Sequence, residues 1–298
     1  MIKVGITRGE DRSANVAAAL ELISDQVVIP DKPVLIKPNF VTVNDQLVAT
    51  HVDATRKTLE FLAERGVKHF TIAEGPGGST LEKAVENYGY RALTDDFDIT
   101  FLDINRDEYV EVSTLDPQLD EQRLKMSKTL AESFIVSVCP MKTHDTVIVT
   151  LGLKNVLVGT LIGHTERQKL HSGFPAMNLS MAMMTQHVAP GLTVIDGTVG
   201  MQGDGPVDGY AIDSRVVVAA AHPFAADVVG LQVMGFELEQ VGYLKYAMEL
   251  DGLTLEDIEV VGESIAASRI EFEPHSSTKS QLKWSIDSGW REVYDRTR

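Results

Sequence analysis

Cysteine and aromatic residues are scarce in this chain. Its 298 residues include a single cysteine, Cys139, and only 6% are aromatic. One cysteine cannot form an internal disulfide, and it cannot supply the thiolates that hold an iron–sulfur cluster or a cysteine-ligated zinc ion. We therefore expect no iron–sulfur cluster, and an interior filled mainly by aliphatic side chains.

Long hydrophobic segments and an excess of basic residues are also lacking. No apolar run approaches the length of a membrane-spanning helix, and the first residues show no signal-peptide pattern. The 43 acidic residues outnumber the 27 basic ones and give a formal net charge of −16, which disfavours binding to nucleic acid or to anionic membranes. The sequence predicts a cytoplasmic protein without a nucleic-acid or membrane partner. A local group of cations could still bind a small anion.

Strand-like and helix-like segments alternate along the chain. Apolar runs predict strands over residues 4–7, 33–37, 67–73, 99–102, 133–139, 192–195, 215–221 and 258–261. Helices are predicted over residues 12–22, 54–65, 80–87, 177–187 and 223–234. This alternation is typical of an α/β fold with a mainly parallel sheet and flanking helices. Residues 109–126 depart from it and are predicted to form a hairpin or flap beside the sheet.

The domain organisation is simple in this interpretation. Residues 1–298 are predicted to form a single domain, because no repeat or clear linker divides them. A division into two lobes near residue 140 or residue 190, with a crevice at the strand carboxyl ends, remains an alternative. Asp53 is predicted to cap the helix at 54–65. Ligands in open α/β sheets bind beyond the carboxyl ends of strands, so the residues that follow the predicted strands are the candidates for a site.

Polar or glycine-rich segments follow four of these strands. They are residues 37–39 (KPN), 74–80 (EGPGGST), 140–155 (PMKTHDTVIVTLGLKN) and 196–206 (DGTVGMQGDGP). Lysines and amides amid apolar sequence are costly to bury unless they have partners. We expect the four segments to share one crevice that binds a small carboxylate or phosphate. Convergence is predicted for one residue of each segment: Lys37, Glu74, Lys142 and Asp196.

The candidate ligand-binding residues are cations, amides and glycines of these segments, together with one arginine. They are Lys37, Asn39, Gly75, Gly77, Gly78, Lys154, Asn155, Arg167, Gly203 and Gly205. Glycine lets the backbone approach a ligand closely, and the loop at 75–78 leads into a predicted helix N-terminus, where free amides favour an anion. The alternatives are lysines that reach solvent, a tight turn at 75–78, and a surface loop at 197–209.

Histidines are the acid–base candidates, because histidine titrates near neutral pH. His144 lies in the central segment beside Lys142, and these two residues with His171 form the predicted catalytic set. His164 and His171 are seven residues apart, which is two turns of a helix, so both could face one side. Their spacing differs from the i, i+4 pair of helical zinc sites.

Carboxylates near the predicted strand ends provide a further hypothesis. Glu74 and Asp196 would orient a histidine or hold a divalent metal through hard oxygen ligands. Asp145 is an alternative partner for His144 because the two are adjacent in sequence. The sequence alone leaves the cofactor unknown, with a divalent metal as an open alternative.

The motifs resemble, in matching order, those of the domain of unknown function 362 (DUF362) family. They are IKPN at 36–39, EGP at 74–76, KTH at 142–144 with LKN at 153–155, and DG at 196–197 with GDGP at 203–206. The resemblance spans residues 34–235 and implies no particular reaction, because the family has no generally established one. Some relatives carry an added ferredoxin-like iron–sulfur module, which one cysteine cannot support.

A second resemblance concerns THVDATR at 50–56 and AEG at 73–75. These segments are similar to the N-terminal region of nickel-pincer lactate racemase-type proteins, without the fuller histidine motifs of that family. The similarity implies racemase-like or isomerase-like carbon-acid chemistry. The sequence thus favours an enzyme that acts on a small anion by histidine and lysine acid–base chemistry. A non-catalytic binding or carrier protein for an anionic metabolite or metallocofactor is the alternative, and a homodimer stays open.

Overall fold

Strands and helices alternate through most of the chain in the computed structural model, which describes residues 1–171, 173–286 and 289–297. The strands are β1 (Ile2–Arg8), β2 (Val34–Lys37), β3 (His69–Glu74), β4 (Asp98–Asp103), β5 (Tyr109–Leu115), β6 (Glu121–Ser127), β7 (Phe134–His144), β8 (Ile148–Thr150), β9 (Leu192–Gln202), β10 (Tyr210–Ile212), β11 (Val216–Ala220) and β12 (Ile258–Gly262). The helices are α1 (Arg12–Leu22), α2 (Val52–Glu64), α3 (Leu81–Asn87), α4 (Lys128–Glu132), α5 (Gly152–Gly159), α6 (Gly163–Leu170), α7 (Phe174–Met184), α8 (Ala225–Val233), α9 (Gly242–Asp251), α10 (Ile265–Ser268), α11 (Thr278–Gln281) and α12 (Trp290–Arg296).

A ten-stranded sheet organises the fold. Its strand order is β12-β1-β11-β9-β7-β2-β3-β4, with β8 added to β7 and β10 added to β9. Along that path, within the described residues, only β11 runs antiparallel to its neighbours, and the remaining pairs are parallel. The predicted α/β fold with a mainly parallel sheet is confirmed. β5 and β6 form a separate antiparallel hairpin, as predicted for residues 109–126.

Helices cover both faces of the sheet. On β7, Ile135 and Cys139 belong to the core that includes α5, α7, α8 and α9. Val136 and Val138, which alternate with them, belong to the core that includes α1, α2 and α3. Because β7 is buried on both faces, residues 134–141 are apolar except for Ser137. This central strand leads to the candidate site.

Two central strands are longer than predicted. β7 passes through Pro140, where the sequence predicted an end, and its register with β9 shifts between Pro140 and Lys142. Such an irregularity accommodates the missing N–H of proline inside a strand. β9 passes through Asp196, because β11 pairs with it as far as Gly197 and β10 pairs with it from Gly200. The polar residues after both predicted ends therefore stand within strands.

Smaller differences concern the helix cap and the suggested division points. His51, and not Asp53, caps α2: its Nδ1 accepts a hydrogen bond from the Asp53 N–H at 3.2 Å, and Asp53 lies in the first turn. Residue 140 lies inside β7 and residue 190 lies just before β9. These strands pair directly, so hydrogen bonds of one sheet join the chain on both sides of either point. No helix in the described ranges is long and apolar enough to cross a membrane.

Helix α5 carries Lys154 and Asn155, and a buried carboxyl group holds its N-terminus. The N-cap residue Leu151 makes no side-chain hydrogen bond, but Oδ2 of Asp227 on α8 accepts the N–H of Leu153 at 2.9 Å. Asp227 is fully buried, and burial raises its pKa to about 8. The carboxyl group is therefore mainly protonated at neutral pH.

The substitution Asp227→Asn tests whether the buried carboxyl group of Asp227 is protonated. The raised pKa of Asp227 means that the folded protein retains a proton that the unfolded chain releases, so this contribution to stability is present below about pH 4 and is lost as pH rises towards about 8. In the wild type, the free energy of unfolding should fall over this pH range by about 1.4 kcal/mol for each unit of pKa shift. Asp227→Asn has no such proton to release and should not show this fall. Urea unfolding of both proteins between pH 4 and 8 measures the difference. Parallel stability curves would contradict the prediction.

Candidate active site at the strand carboxyl ends

A cavity of about 230 Å³ lies where β2, β3 and β7 end, beside α5 and α6. The structure brings several of the predicted site residues to its wall: Asn39, Glu74, Gly75, Gly77, His144, Lys154, Asn155, Arg167 and His171. Three of the four polar segments thus contribute predicted residues to one cavity. Lys37 lies beneath the wall, whereas Lys142 and Asp196 lie elsewhere.

Lys37 is a fully buried cation with a complete set of acceptors. Its Nζ donates to Glu74 Oε1 at 2.7 Å, to the Pro38 carbonyl at 2.8 Å and to Asn155 Oδ1 at 3.3 Å. Three acceptors match the three hydrogens of an ammonium group. Burial lowers the pKa of Lys37, and the Glu74 carboxylate opposes that shift. Gly159 leaves room for the side chain, since a Cβ there would stand 2.6 Å from Lys37 Cε.

Glu74 links the ends of β2 and β3. Besides Lys37, its Oε1 accepts the N–H of Phe40 at 2.9 Å, and its Oε2 accepts the N–H of Gly75. Both oxygens are therefore hydrogen-bonded within the protein. The carboxylate fixes the two loops that follow the strands, which is a structural use for a residue predicted to bind a metal or orient a histidine.

Asp196 lies in a second cleft, lined also by Arg12 and His51. Its Oδ2 accepts from Arg12 Nε at 2.7 Å and its Oδ1 accepts the N–H of Thr198 at 3.0 Å. The predicted convergence with Glu74 in one site does not occur, because β9 continues past Asp196.

Within residues 1–171, 173–286 and 289–297, no group of three or more His, Cys, Asp or Glu side chains is arranged to hold a metal ion.

Lys142 stands behind the cavity wall. It is fully buried, and its Nζ donates to Asn39 Oδ1 and to the Val48 carbonyl, each at 2.8 Å. Burial and the charge of Lys154 lower the pKa of Lys142 to about 7. Asn39 in turn donates from Nδ2 to Asn155 Oδ1 at 3.0 Å. Lys142 therefore orients the Asn39 amide, and its amine does not line the cavity as its predicted catalytic role requires.

Lys154 differs from both of these lysines. It lines the cavity with 8% of its surface exposed, and its Nζ forms no hydrogen bond or ion pair with any described residue. Burial, with a smaller effect from the neighbouring cations Lys37 and Arg167, lowers the pKa of Lys154 to about 8, and Asp145 opposes the shift. The group is mainly an ammonium at neutral pH. A buried cation without a partner favours an anion in the adjoining cavity.

Arg167 fastens the glycine loop to α6. Its Nη1 donates to the Gly75 carbonyl at 2.7 Å, and its Nη2 donates to Asn105 Oδ1 at 3.1 Å. The same oxygen of Asn105 also accepts the N–H of Gly163. A Cβ on Gly75 would stand 2.7 Å from Arg167 Nη2 and 2.8 Å from Asn105 Oδ1, so a larger residue there would displace this hydrogen-bonded pair. Asn105 is not among the site residues predicted from the sequence. Its place just after the strand predicted at 99–102 is the signal that would have found it.

His144 and His171 are held in opposite tautomers. His144 Nδ1 accepts the N–H of Thr146 at 3.0 Å, so in the neutral ring Nε2 carries the proton. His171 Nδ1 lies 2.6 Å from the Arg167 carbonyl, which can only accept, so Nδ1 donates and Nε2 carries the lone pair. The ring centroids are 6.2 Å apart. The cavity therefore has one imidazole donor and one imidazole acceptor in its wall.

Both rings are neutral at physiological pH. Burial and then the charge of Lys154 lower the pKa of His171, and the same causes hold the pKa of His144 well below its ordinary value. Asp145 Oδ1 lies 3.0 Å from His144 Nδ1 and would form an ion pair only with the protonated ring. His164, which is exposed, also lines the cavity. The two-turn spacing thus brings both His164 and His171 to one cavity.

Three predicted glycines do not line the cavity: Gly78, Gly203 and Gly205. Gly205 instead packs against β7, where a Cβ would stand 2.4 Å from the Thr143 carbonyl oxygen, and this close approach brings Pro206 to the cavity. At the helix after the glycine loop, Thr80 Oγ1 caps the N-terminus by accepting the N–H of Lys83, and the anion site expected there stays a prediction. Only Gly75 and Gly77 of that loop contribute to the cavity wall.

The fold and the site define an α/β protein with a cavity of cations and neutral histidines at the carboxyl edge of its sheet. The family described as "Domain of unknown function (DUF362)" matches residues 34–232, and the chain belongs to this family. It is also 28% identical over 211 residues to the thylakoid-associated protein sll1697 of Synechocystis sp.. That match covers 68% of this chain and 63% of the relative, so the chain spans less than two thirds of the relative's length. The cytoplasmic location stays a prediction.

The Lys37–Glu74 ion pair can be tested by a double-mutant cycle. Lys37→Met leaves the Glu74 carboxylate buried without its cation, which should lower the free energy of unfolding by about 3–5 kcal/mol. Adding Glu74→Gln removes the uncompensated charge and should restore part of that loss. Urea unfolding of the four proteins at pH 7 gives the coupling energy. Additive effects of the two substitutions would mean that the pair contributes no interaction energy.

Proposed function

We propose that this protein is an enzyme that moves a proton on a small anionic substrate, a carboxylate or a phosphate, bound in the cavity. The observation that carries the proposal is the pair of neutral histidines in opposite tautomers, His144 and His171, in one cavity with the Lys154 ammonium, which has no hydrogen-bond partner among the described residues. A general acid and a general base within one cavity, next to a group that holds negative charge, are the parts that proton transfer needs.

Each residue has a role in this proposal. The Lys154 ammonium, with the positive charge of Arg167 nearby, holds the anionic group of the substrate. His171 accepts a proton at Nε2, and His144 donates from Nε2 to a substrate oxygen on which charge develops. The satisfied network of Lys37, Glu74 and Asn155 beneath the cavity keeps these groups in place without offering a competing charge.

Anion binding is the first part to test. Lys154→Met should weaken binding of inorganic phosphate or of acetate, titrated separately by calorimetry at pH 7, by about ten-fold or more, because a hydrogen bond to a charged group contributes about 1.5–3 kcal/mol. Whichever anion binds more tightly, phosphate or acetate, identifies the preferred class of substrate. Lys83→Met, on the exposed side of α3, is the matched control and should bind as the wild type does. Equal affinity in all three proteins would refute the anion site.

Proton transfer is the second part. Wild-type protein incubated in D₂O with a panel of small carboxylates should exchange a carbon-bound hydrogen of at least one of them, followed by NMR. His171→Gln should slow that exchange by about 10²-fold or more while its affinity for the same carboxylate is kept. The exposed His187 gives the matched control, His187→Gln. Binding without any exchange would instead identify a non-catalytic carrier of an anionic metabolite.

A further inference from the structure

Three buried lysines meet near the cavity, and their hydrogen bonding separates them. Lys37 has three acceptors, including a carboxylate. Lys142 has two neutral acceptors. Lys154 has none among the described residues, yet it is the one of the three that lines the cavity. An amine with no bond to break is the most available of the three for reaction with a ligand.

The surroundings of Lys154 favour its uncharged form more than water does. Burial and neighbouring cations lower its pKa to about 8, so about a tenth of the groups are free amine at pH 7, whereas an unperturbed lysine is almost wholly protonated. A desolvated lysine beside another cation is a recognised arrangement for amine nucleophiles. The first turn of α5, held by Asp227, fixes where the amine stands.

We propose that Lys154 is a nucleophile that forms an imine with a small oxo acid, a carboxylate that carries a neighbouring ketone or aldehyde. The amine nitrogen attacks the carbonyl carbon and forms the C–N bond. One amine proton and one proton from a general acid go to the former carbonyl oxygen, which leaves as water. The second amine proton stays on nitrogen, so the ammonium form of Lys154 and the oxo acid give a protonated imine and water without an oxidant or a reductant.

The histidine pair can supply these proton transfers. The Nε2 lone pair of His171 takes one proton from the Lys154 ammonium, which frees the amine, and His171 then returns that proton to the departing oxygen. His144 donates a hydrogen bond from Nε2 to the same oxygen. The protonated imine draws electrons from the adjacent carbon, and His171, neutral again after it has returned its proton to the departing oxygen, then removes a carbon-bound proton. This last step rests on the proposed function; imine formation itself does not. The carboxylate of the oxo acid would lie towards the charge of Arg167.

Reductive trapping tests the imine directly. Wild-type protein is incubated with pyruvate at neutral pH, treated with sodium borohydride, digested and mapped by mass spectrometry. We expect one carboxyethyl group on Lys154, formed at least about ten-fold faster than on the exposed Lys83 in the same sample. Glyoxylate should give the corresponding carboxymethyl group, and acetone, which lacks the carboxylate, should label Lys154 more slowly.

Two variants complete the experiment. Lys154→Arg keeps the positive charge and should lose the fast label, whereas Lys83→Arg should keep it. Labelling spread evenly over the lysines, or fast labelling that survives in Lys154→Arg, would overturn the proposal. If Lys154→Arg does not fold, the ratio of Lys154 to Lys83 labelling in the wild type decides alone. Absent trapping with retained phosphate or acetate binding removes the imine and leaves the anion site, so the two proposals fail separately.

Discussion

The site is organised by one requirement, which is that the ammonium of Lys37 has no access to water and must find its acceptors inside the protein. It finds them in Glu74 and Asn155, which come from β3 and α5. Because Glu74 also accepts backbone N–H groups after β2 and β3, the same carboxylate fixes both loops. A buried charge thus ties together β2, β3 and α5, which form part of the cavity wall.

The cavity wall also carries polar groups that have no hydrogen-bond partner among the described residues. Lys154 and the Nε2 atoms of His144 and His171 form no hydrogen bond with the described residues, although all three side chains are largely buried. Buried polar groups normally have partners, and an exception at a cavity favours a ligand. The contrast between Lys37, whose hydrogen bonds are complete, and Lys154, which lines the cavity, separates structural from chemical use of the same residue type.

The backbone sets the chemistry of the two histidines. The amide of Thr146 and the carbonyl of Arg167 are groups of opposite hydrogen-bonding character, so one ring becomes a donor at Nε2 and the other an acceptor. Neither assignment depends on a nearby carboxylate. This explains how a pair of neutral imidazoles can serve as acid and base without Glu74 or Asp196, the carboxylates that the sequence suggested as partners.

The sequence by itself determined the alternation of strands and helices, the hairpin at 109–126 and the strand-end segments that supply most of the cavity wall. These follow from hydrophobic periodicity, which depends on neighbouring residues. It did not determine that β7 and β9 continue past Pro140 and Asp196, because strand ends are set by pairing with β8, β10 and β11. Nor did it show that Lys37 and Lys142 have hydrogen-bond acceptors while Lys154 has none among the residues that the structure describes. Their acceptors come from distant positions in the chain, and only the tertiary structure decides which side chain meets which acceptor.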